Sequence, residues 1–412
     1  MDMNRLASLY DGMENAQKQL ARFEDLKNKF SEKFGSCEGT ELISAPGRTE
    51  IAGNHTDHNF GCVLAASVDL DTVACVRKSG NSTVTLYSEG YDTPFVVDVS
   101  DLTVHVEEKE TTYSLIRGVA ACLKEAGYEV GGFDAYVTST VLRGSGLSSS
   151  AAFEVLLVAI NDALFNGWTV PAELNAKLSQ KAENNYFLKP CGLMDQMASA
   201  VGGLVAIDFE NGGAKVEAVS YDFSAKGYAL CVVSAGGDHE NLTGEYAAVP
   251  AEMKAVAKAL GANVLREVAD RIEDEIPNLK GKVSDRSILR ALHFVDENAR
   301  VGKMVQALKN DDLPAFLAGI IESGESSWKL LQNLCVPGRD NQEMMLALEM
   351  SKRMLKDAGG AWRIHGGGFA GTILAFVPKA LVPAYTEKMN SVFGEGAVKP
   401  LYVRPEGAVW LK

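Results

Sequence analysis

Three glycine-punctuated segments and one spaced pair of carboxylates hold the side chains that could do chemistry. Pro46-Gly47-Arg48-Thr49-Glu50-Ile51-Ala52-Gly53-Asn54-His55-Thr56-Asp57-His58-Asn59 crowds polar and charged groups into a stretch flanked by apolar sequence, so it interrupts what reads as buried strand. Gly144-Ser145-Gly146-Leu147-Ser148-Ser149-Ser150-Ala151-Ala152 stands between an apolar strand and an apolar helix. Its glycines let backbone approach a ligand closely. The helix that follows turns free N–H groups and its positive end toward any anion placed there. Serine-capped helices after glycine turns are common, and the composition alone is also met by a turn of that kind. No Gly-x-x-x-x-Gly-Lys-Ser/Thr occurs, which excludes a P-loop NTPase. Arg363-Ile364-His365-Gly366-Gly367-Gly368-Phe369-Ala370-Gly371-Thr372 packs four glycines before a strand-like run, which demands unusual φ or very close backbone approach. Glu183 and Asp195 are separated by a Pro190-Cys191-Gly192 turn and so lie on two helical pieces. Asp195 falls in the first turn of its helix, where the dipole favours an ionised carboxylate, as a base or charge stabiliser requires.

The elements that must position these groups alternate irregularly. Leu6, Leu9, Met13, Ala16, Leu20, Phe23, Leu26, Phe30 and Phe34 recur at steps of three and four, which predicts one long amphipathic helix over residues 4–34, packed on a domain surface. Short Val-, Thr- and Ile-rich strands are expected near 41–46, 48–53, 62–69, 71–78, 82–88, 94–99 and 133–141, with a helix at 112–127. Helices at 149–165, 171–188 and 193–201 follow, and strands and helices mix again to the end. This is too irregular for a doubly wound βαβ sheet and fits an α+β protein. At 412 residues the chain exceeds what one core usually serves, so two domains are expected, residues 1–212 and 213–412, with a boundary near 205–225.

Composition narrows the classes. Net charge of −14 and a pI near 5.0 argue against nucleic acid and anionic membranes as partners. No apolar run approaches the roughly 18–20 residues that span a bilayer, and the N-terminus lacks a signal-type apolar core, so a cytoplasmic protein is expected. Seven cysteines at irregular spacings, without Cys-x-x-Cys, read as reduced thiols rather than disulfides or a zinc site.

Arg48, Ile51, Gly53, His55, Thr56, Asp57 and Asn59 fall where the galactokinase sugar-binding signature has those residues. The serine-rich turn resembles the ATP-binding motif of the galactokinase, homoserine, mevalonate and phosphomevalonate kinase family. Segment 363–372 resembles that family's third motif, and Ala182-Glu183 through Pro190-Cys191-Gly192 to Met194-Asp195-Gln196 matches a galactokinase signature. The motifs appear in family order, and the resemblance covers nearly the whole chain beyond its first 25 residues.

The resemblance implies a two-domain small-molecule kinase with its active site between the domains, transferring phosphate from ATP with Mg²⁺ to the C1 hydroxyl of a galactose-like sugar. Gly144, Ser145, Gly146, Leu147, Ser148, Ser149 and Ser150 would cradle the phosphates, with Gly367 and Gly368 closing over them. Ser150, with Ser149 the next choice, would ligate Mg²⁺ together with Glu183. Asp195 would accept or orient the sugar hydroxyl proton and Arg48 would stabilise both Asp195 and the phosphoryl group. Asn54, His55, Asp57, Gly192 and Tyr246 would hold the sugar, and His365 would neighbour the site.

One position departs from the pattern. Galactokinases have glutamate, which holds the hydroxyl at the far end of the sugar, where this chain has Asn54. Glu50 stands where the family often has asparagine, so the two side chains are candidates for an exchange of roles. A kinase for galacturonate, N-acetylgalactosamine or L-arabinose, and a sugar and ATP sensor on the same fold, are the alternatives that this position leaves open.

Overall fold

The N-terminal amphipathic stretch folds as two helices, α1 (Met3–Leu9) and α2 (Met13–Phe34), rather than one. Asp11 and Gly12 adopt φ of 54° and 103°, which ends the first helix and re-aims the second. The apolar periodicity runs through the break, which is why it reads as continuous; Asp-Gly is nevertheless a turn dipeptide. Leu6, Leu9, Phe23, Leu26 and Phe30 are buried against Leu42, Val73, Cys75 and Val409 of the first sheet. The structure, a computed structural model, describes residues 2–141, 146–236, 242–369 and 371–412.

Strands β1 (Glu41–Ala52), β2 (Cys62–Lys78), β3 (Thr83–Ser88), β4 (Phe95–Asp98), β5 (Phe133–Ser139), β6 (Leu204–Asp208) and β7 (Lys215–Val219) build the first sheet. All its pairs are antiparallel except β3 with β5. The separate strands expected at 41–46 and 48–53 are one strand with register shifts between Pro46 and Arg48 and between Glu50 and Ala52; those at 62–69 and 71–78 are likewise one. Helices α3 (Thr112–Glu125), α4 (Ser149–Asn161) and α6 (Met194–Val201) bury their apolar faces on this sheet, and α5 (Ala172–Ala182) packs across these three helices. Strand β8 (Tyr228–Gly236) begins a second sheet, completed by β9 (Ala361–His365), β10 (Gly371–Pro378) and β11 (Val398–Leu401) in the order β11-β8-β10-β9. Strand β12 (Val409–Trp410) returns to pair with β1 in the first sheet.

Between β8 and β9 run α7 (Thr243–Ala259), α8 (Ile276–Leu279), α9 (Asp285–Lys309), α10 (Leu313–Ser326) and α11 (Glu343–Leu355); α12 (Val382–Phe393) joins β10 to β11. A shared apolar core links Ile51, Leu64 and Val68 of the first sheet to Leu374 and Phe376 of the second and to Val301 and Phe316 of α9 and α10. Helix α9 packs on β2 and α10 on β1. The polar stretch of β1 is therefore walled from both sides. No helix among the described residues is long and apolar enough to cross a membrane. All seven cysteines are free thiols.

Candidate active site

The first register shift in β1 sets the site. A Cβ on Gly47 would stand 2.9 Å from the Leu147 carbonyl oxygen, so only glycine lets the strand approach the serine-rich turn this closely. The Arg48 N–H then donates to that carbonyl at 3.0 Å and the Arg48 guanidinium donates through Nη1 to the Gly146 carbonyl. The other edge of the guanidinium forks onto Asp195: Nε reaches Oδ1 at 2.6 Å and Nη2 reaches Oδ2 at 2.7 Å. Strand, turn and helix α6 thus meet on one arginine.

Asp195 lies in the first turn of α6. Its side chain is 31% exposed while that of Arg48 is 9% exposed, so the carboxylate faces open space and the cation stands behind it. Burial raises the Asp195 pKa, but the Arg48 charge and its hydrogen bonds, with one from Ser148, outweigh it and leave the group below the usual carboxylate value. Ser148 precedes α4 with φ of 54°; its hydroxyl donates to Asp195 Oδ2 instead of capping the helix. The expected serine cap is absent because that hydroxyl is spent on the carboxylate. Gly144 and Ser145 lie outside the described residues.

Ser149 and Ser150 open onto a cleft of about 960 Å³ lined also by Tyr91, Phe95, Tyr113 and Phe187. These aromatic walls carry no sequence motif and were not expected. Glu183 is buried at the end of α5, its Oε2 accepting Gln196 Nε2 at 2.8 Å. The same nitrogen donates at 3.0 Å to Oε2 of Glu154, a second buried carboxylate, whose Oε1 has no partner. Burial first, and then the Glu183 charge, pushes the Glu154 carboxyl well above its ordinary value. Glu154 lies four residues after Ser150 on α4, a spacing that places both on one helix face and could have disclosed it. The oxygen donors of Ser150 and Glu183 suit a hard, oxygen-seeking cation such as Mg²⁺. A cavity of about 410 Å³ lined by Tyr221, Tyr228, Asp222 and Tyr402 shares none of these residues.

The sugar signature forms the opposite wall. Asp57 starts a one-turn helix, and a Cβ on Gly192 would lie 2.7 Å from Asp57 Oδ2, so the Pro-Cys-Gly turn presses its backbone against that carboxylate. His55, at φ of 58°, donates through Nε2 to the Gly367 carbonyl at 2.9 Å. Burial lowers its pKa to about 4. Tyr246 donates to the Gly368 carbonyl at 2.8 Å and meets Phe369 edge-on at 5.5 Å. Asn54 Nδ2 donates to Glu50 Oε1 and to the Gly366 carbonyl. The third glycine segment therefore docks on the sugar wall through three successive carbonyls; Gly366 and Gly368 adopt φ of 71° and 90° to present them. His365 is buried between Thr49 and Thr372, with ring nitrogens 3.0 and 2.9 Å from their hydroxyls, and burial lowers its pKa to about 3.

Side chains of the second half fix the loop at Gly53 and Asn54, and no motif announced them. Glu297 Oε1 accepts the Gly53 N–H at 2.9 Å, His293 Nε2 donates to the Asn54 carbonyl at 3.0 Å, and Asn333 Nδ2 donates to Asn54 Oδ1 at 2.8 Å.

Comparison with known proteins finds similar chains among sugar kinases. Residues 28–78 match the galactokinase galactose-binding signature and residues 114–203 the N-terminal domain of the GHMP kinases. A galactokinase of Streptomyces coelicolor is 33% identical over 381 residues, covering 90% of this chain and 93% of that protein. The Lactococcus lactis galactokinase, solved with galactose, superposes with a TM-score of 0.80 at 26% identity, over 94% of this chain and 100% of that one. The mevalonate kinase of Methanococcus jannaschii shares the fold, with a TM-score of 0.64 at 14% identity over 89% of this chain and 99% of its own.

Proposed function

The chain belongs to the galactokinase family, and on that footing we propose that it transfers the γ-phosphoryl group of ATP to the C1 hydroxyl of galactose, giving galactose 1-phosphate and ADP. The observation that carries this reading is the forked Arg48–Asp195 pair seated against the Gly146-Leu147-Ser148 turn, with the carboxylate open and the cation behind it. An ionised carboxylate has about four lone-pair sites, and Arg48 and Ser148 use three of them. The remaining one can receive the sugar hydroxyl.

In the transfer the C1 oxygen bonds to the γ-phosphorus, the bond from that phosphorus to the β–γ bridging oxygen breaks, and ADP keeps the electron pair. The hydroxyl proton passes to Asp195 and then to water. Such transition states are loose, so positioning and charge stabilisation outweigh basicity, and a carboxylate of low pKa is adequate. Asp195 aligns the hydroxyl and Arg48 supplies positive charge beside it. Asp57 and the N–H of Gly192, side by side, hold sugar hydroxyls; His55 and Tyr246 hold the glycine segment over the sugar. Gly146, Leu147, Ser148, Ser149 and Ser150 cradle phosphates at the start of α4. The cleft between Tyr91, Phe95 and Tyr113 would take the purine base. Ser150 and Glu183 are the groups that would hold Mg²⁺, which when bound neutralises phosphate charge. With a net charge of −14 this cation supply has to be local.

The test is ADP release with galactose, N-acetylgalactosamine, galacturonate, L-arabinose and glucose. Galactose is expected to be the preferred acceptor; no ADP release at high galactose concentration overturns the reading.

A further inference from the structure

Asn54 sits in the sugar loop, yet every polar atom of its side chain is turned to the protein. Nδ2 donates to Glu50 Oε1 at 2.9 Å and to the Gly366 carbonyl at 2.7 Å, and Oδ1 accepts from Asn333 Nδ2 at 2.8 Å. The amide cannot be turned over. Glu50 and the carbonyl only accept, so nitrogen must face them. Asn333 Nδ2 also reaches the Gly367 carbonyl at 3.0 Å, so it too must be the donor. Residue 54 is 1% exposed. Behind it, Glu50 Oε1 receives Arg363 Nη2 at 2.9 Å, and Arg363, fully buried, also donates to the Ile51 carbonyl. The buried cation at 363 is thus matched by the carboxylate at 50, with a neutral amide between that carboxylate and the glycine segment.

We infer that Asn54 is a positioning residue: it ties the glycine segment 366–368 to strand β1 and makes no hydrogen bond to the sugar. The inference rests on the galactose kinase reading for the identity of the sugar. An acidic side chain at 54 could not do this work. It has no N–H for Gly366, and it would stand about 3 Å from a second buried carboxylate that shares one arginine. Selectivity at the far end of the sugar then belongs to the closed glycine segment rather than to residue 54.

The test pairs Asn54→Asp and the double variant Glu50→Gln, Asn54→Asp with three sugars: galactose, 2-deoxygalactose and 6-deoxygalactose. In the double variant the amide introduced at position 50 donates toward the carboxylate introduced at position 54, reversing the hydrogen bond while keeping one carboxylate near Arg363. Asn54→Asp is expected to raise KM for all three sugars by the same factor, tenfold or more, with a smaller change in kcat. It is also expected to speed amide exchange of residues 366–369, and the double variant recovers at least threefold in KM. A variant that shifts one deoxy sugar tenfold less than galactose, or that improves galactose, overturns the inference, because residue 54 then touches the missing hydroxyl. Should Asn54→Asp fail to fold, Asn54→Ser carries the same comparison. Unchanged exchange at 366–369 in a folded variant also overturns it. Wild-type protein inert on galactose would defeat the kinase reading alone; the exchange experiment still decides the tie.

Discussion

Arg48 and Asp195 act as one unit, because the guanidinium fork both orients the carboxylate and keeps it ionised. Asp195→Ala removes the group proposed to align the hydroxyl, and kcat should fall on the order of 10²–10⁴-fold while nucleotide affinity, read by fluorescence titration, stays within a few fold. The depressed pKa of Asp195 sets a pH expectation. A carboxyl held below the ordinary range is already ionised at pH 5, so turnover should show no acid limb from this group between pH 5 and 8. Arg48→Lys loses the two-point hydrogen bonding that a lysine cannot reproduce, and it weakens the hold on the ionised form. In that variant the acid limb should move upward and kcat should drop; a profile superimposable on wild type would separate Arg48 from Asp195.

Short elements place these groups through two close backbone approaches. Gly47 lets β1 reach the serine-rich turn, and Gly192 lets the Pro-Cys-Gly turn reach Asp57. Gly192→Ala would push a Cβ to 2.7 Å from Asp57 Oδ2. The expected result is a rise of about tenfold or more in KM for galactose, equivalent to ~1.4 kcal/mol, with KM for ATP little changed. An equal rise in both constants would mean that the turn also serves the nucleotide. Both glycines stand in motifs that the sequence displays, whereas the Asp11-Gly12 dipeptide that breaks the N-terminal helix stands in none of them. That break is masked in the sequence because apolar periodicity continues on either side of it. The aromatic cleft was illegible for a different reason: Tyr91 with Phe95, Tyr113 and Phe187 come from three stretches of the chain that no motif connects.

At the scale of the molecule, the loop over residues 53–59 belongs to one half of the chain and is held by the other. Glu297, His293 and Asn333 take its backbone and side-chain hydrogen bonds, and the two sheets share an apolar core. His55, His293 and His365 are kept neutral there, burial being the main cause of each lowered pKa. A histidine whose folded pKa lies below its unfolded value of about 6.5 leaves the unfolded chain holding more protons in between, so its stability contribution is present above that value and is lost as pH falls. The unfolding temperature should therefore decline as pH drops from 7 through 5 and on toward 4 and 3, where His55 and His365 titrate in the folded protein. His365→Gln should flatten that decline, measured by scanning calorimetry; an unchanged slope would remove His365 from the linkage.

Local chemistry was readable from the chain. Glycine clusters announce close backbone approach, a carboxylate in a first helical turn announces an ionised group, and three motifs in order announce a kinase, because each depends on residues adjacent in sequence. The direction in which a side chain's hydrogen bonds point depends on partners that folding brings from far away. Arg48 meets Asp195 across 147 residues, and Asn54 meets Asn333 across 279 and Gly366 across 312. That is why Asn54, which by position in the motif faces sugar, is turned in the fold toward Glu50, Gly366 and Asn333. A buried amide must satisfy its donors and acceptor where the tertiary structure offers partners, and those partners are visible only once the two halves are packed together.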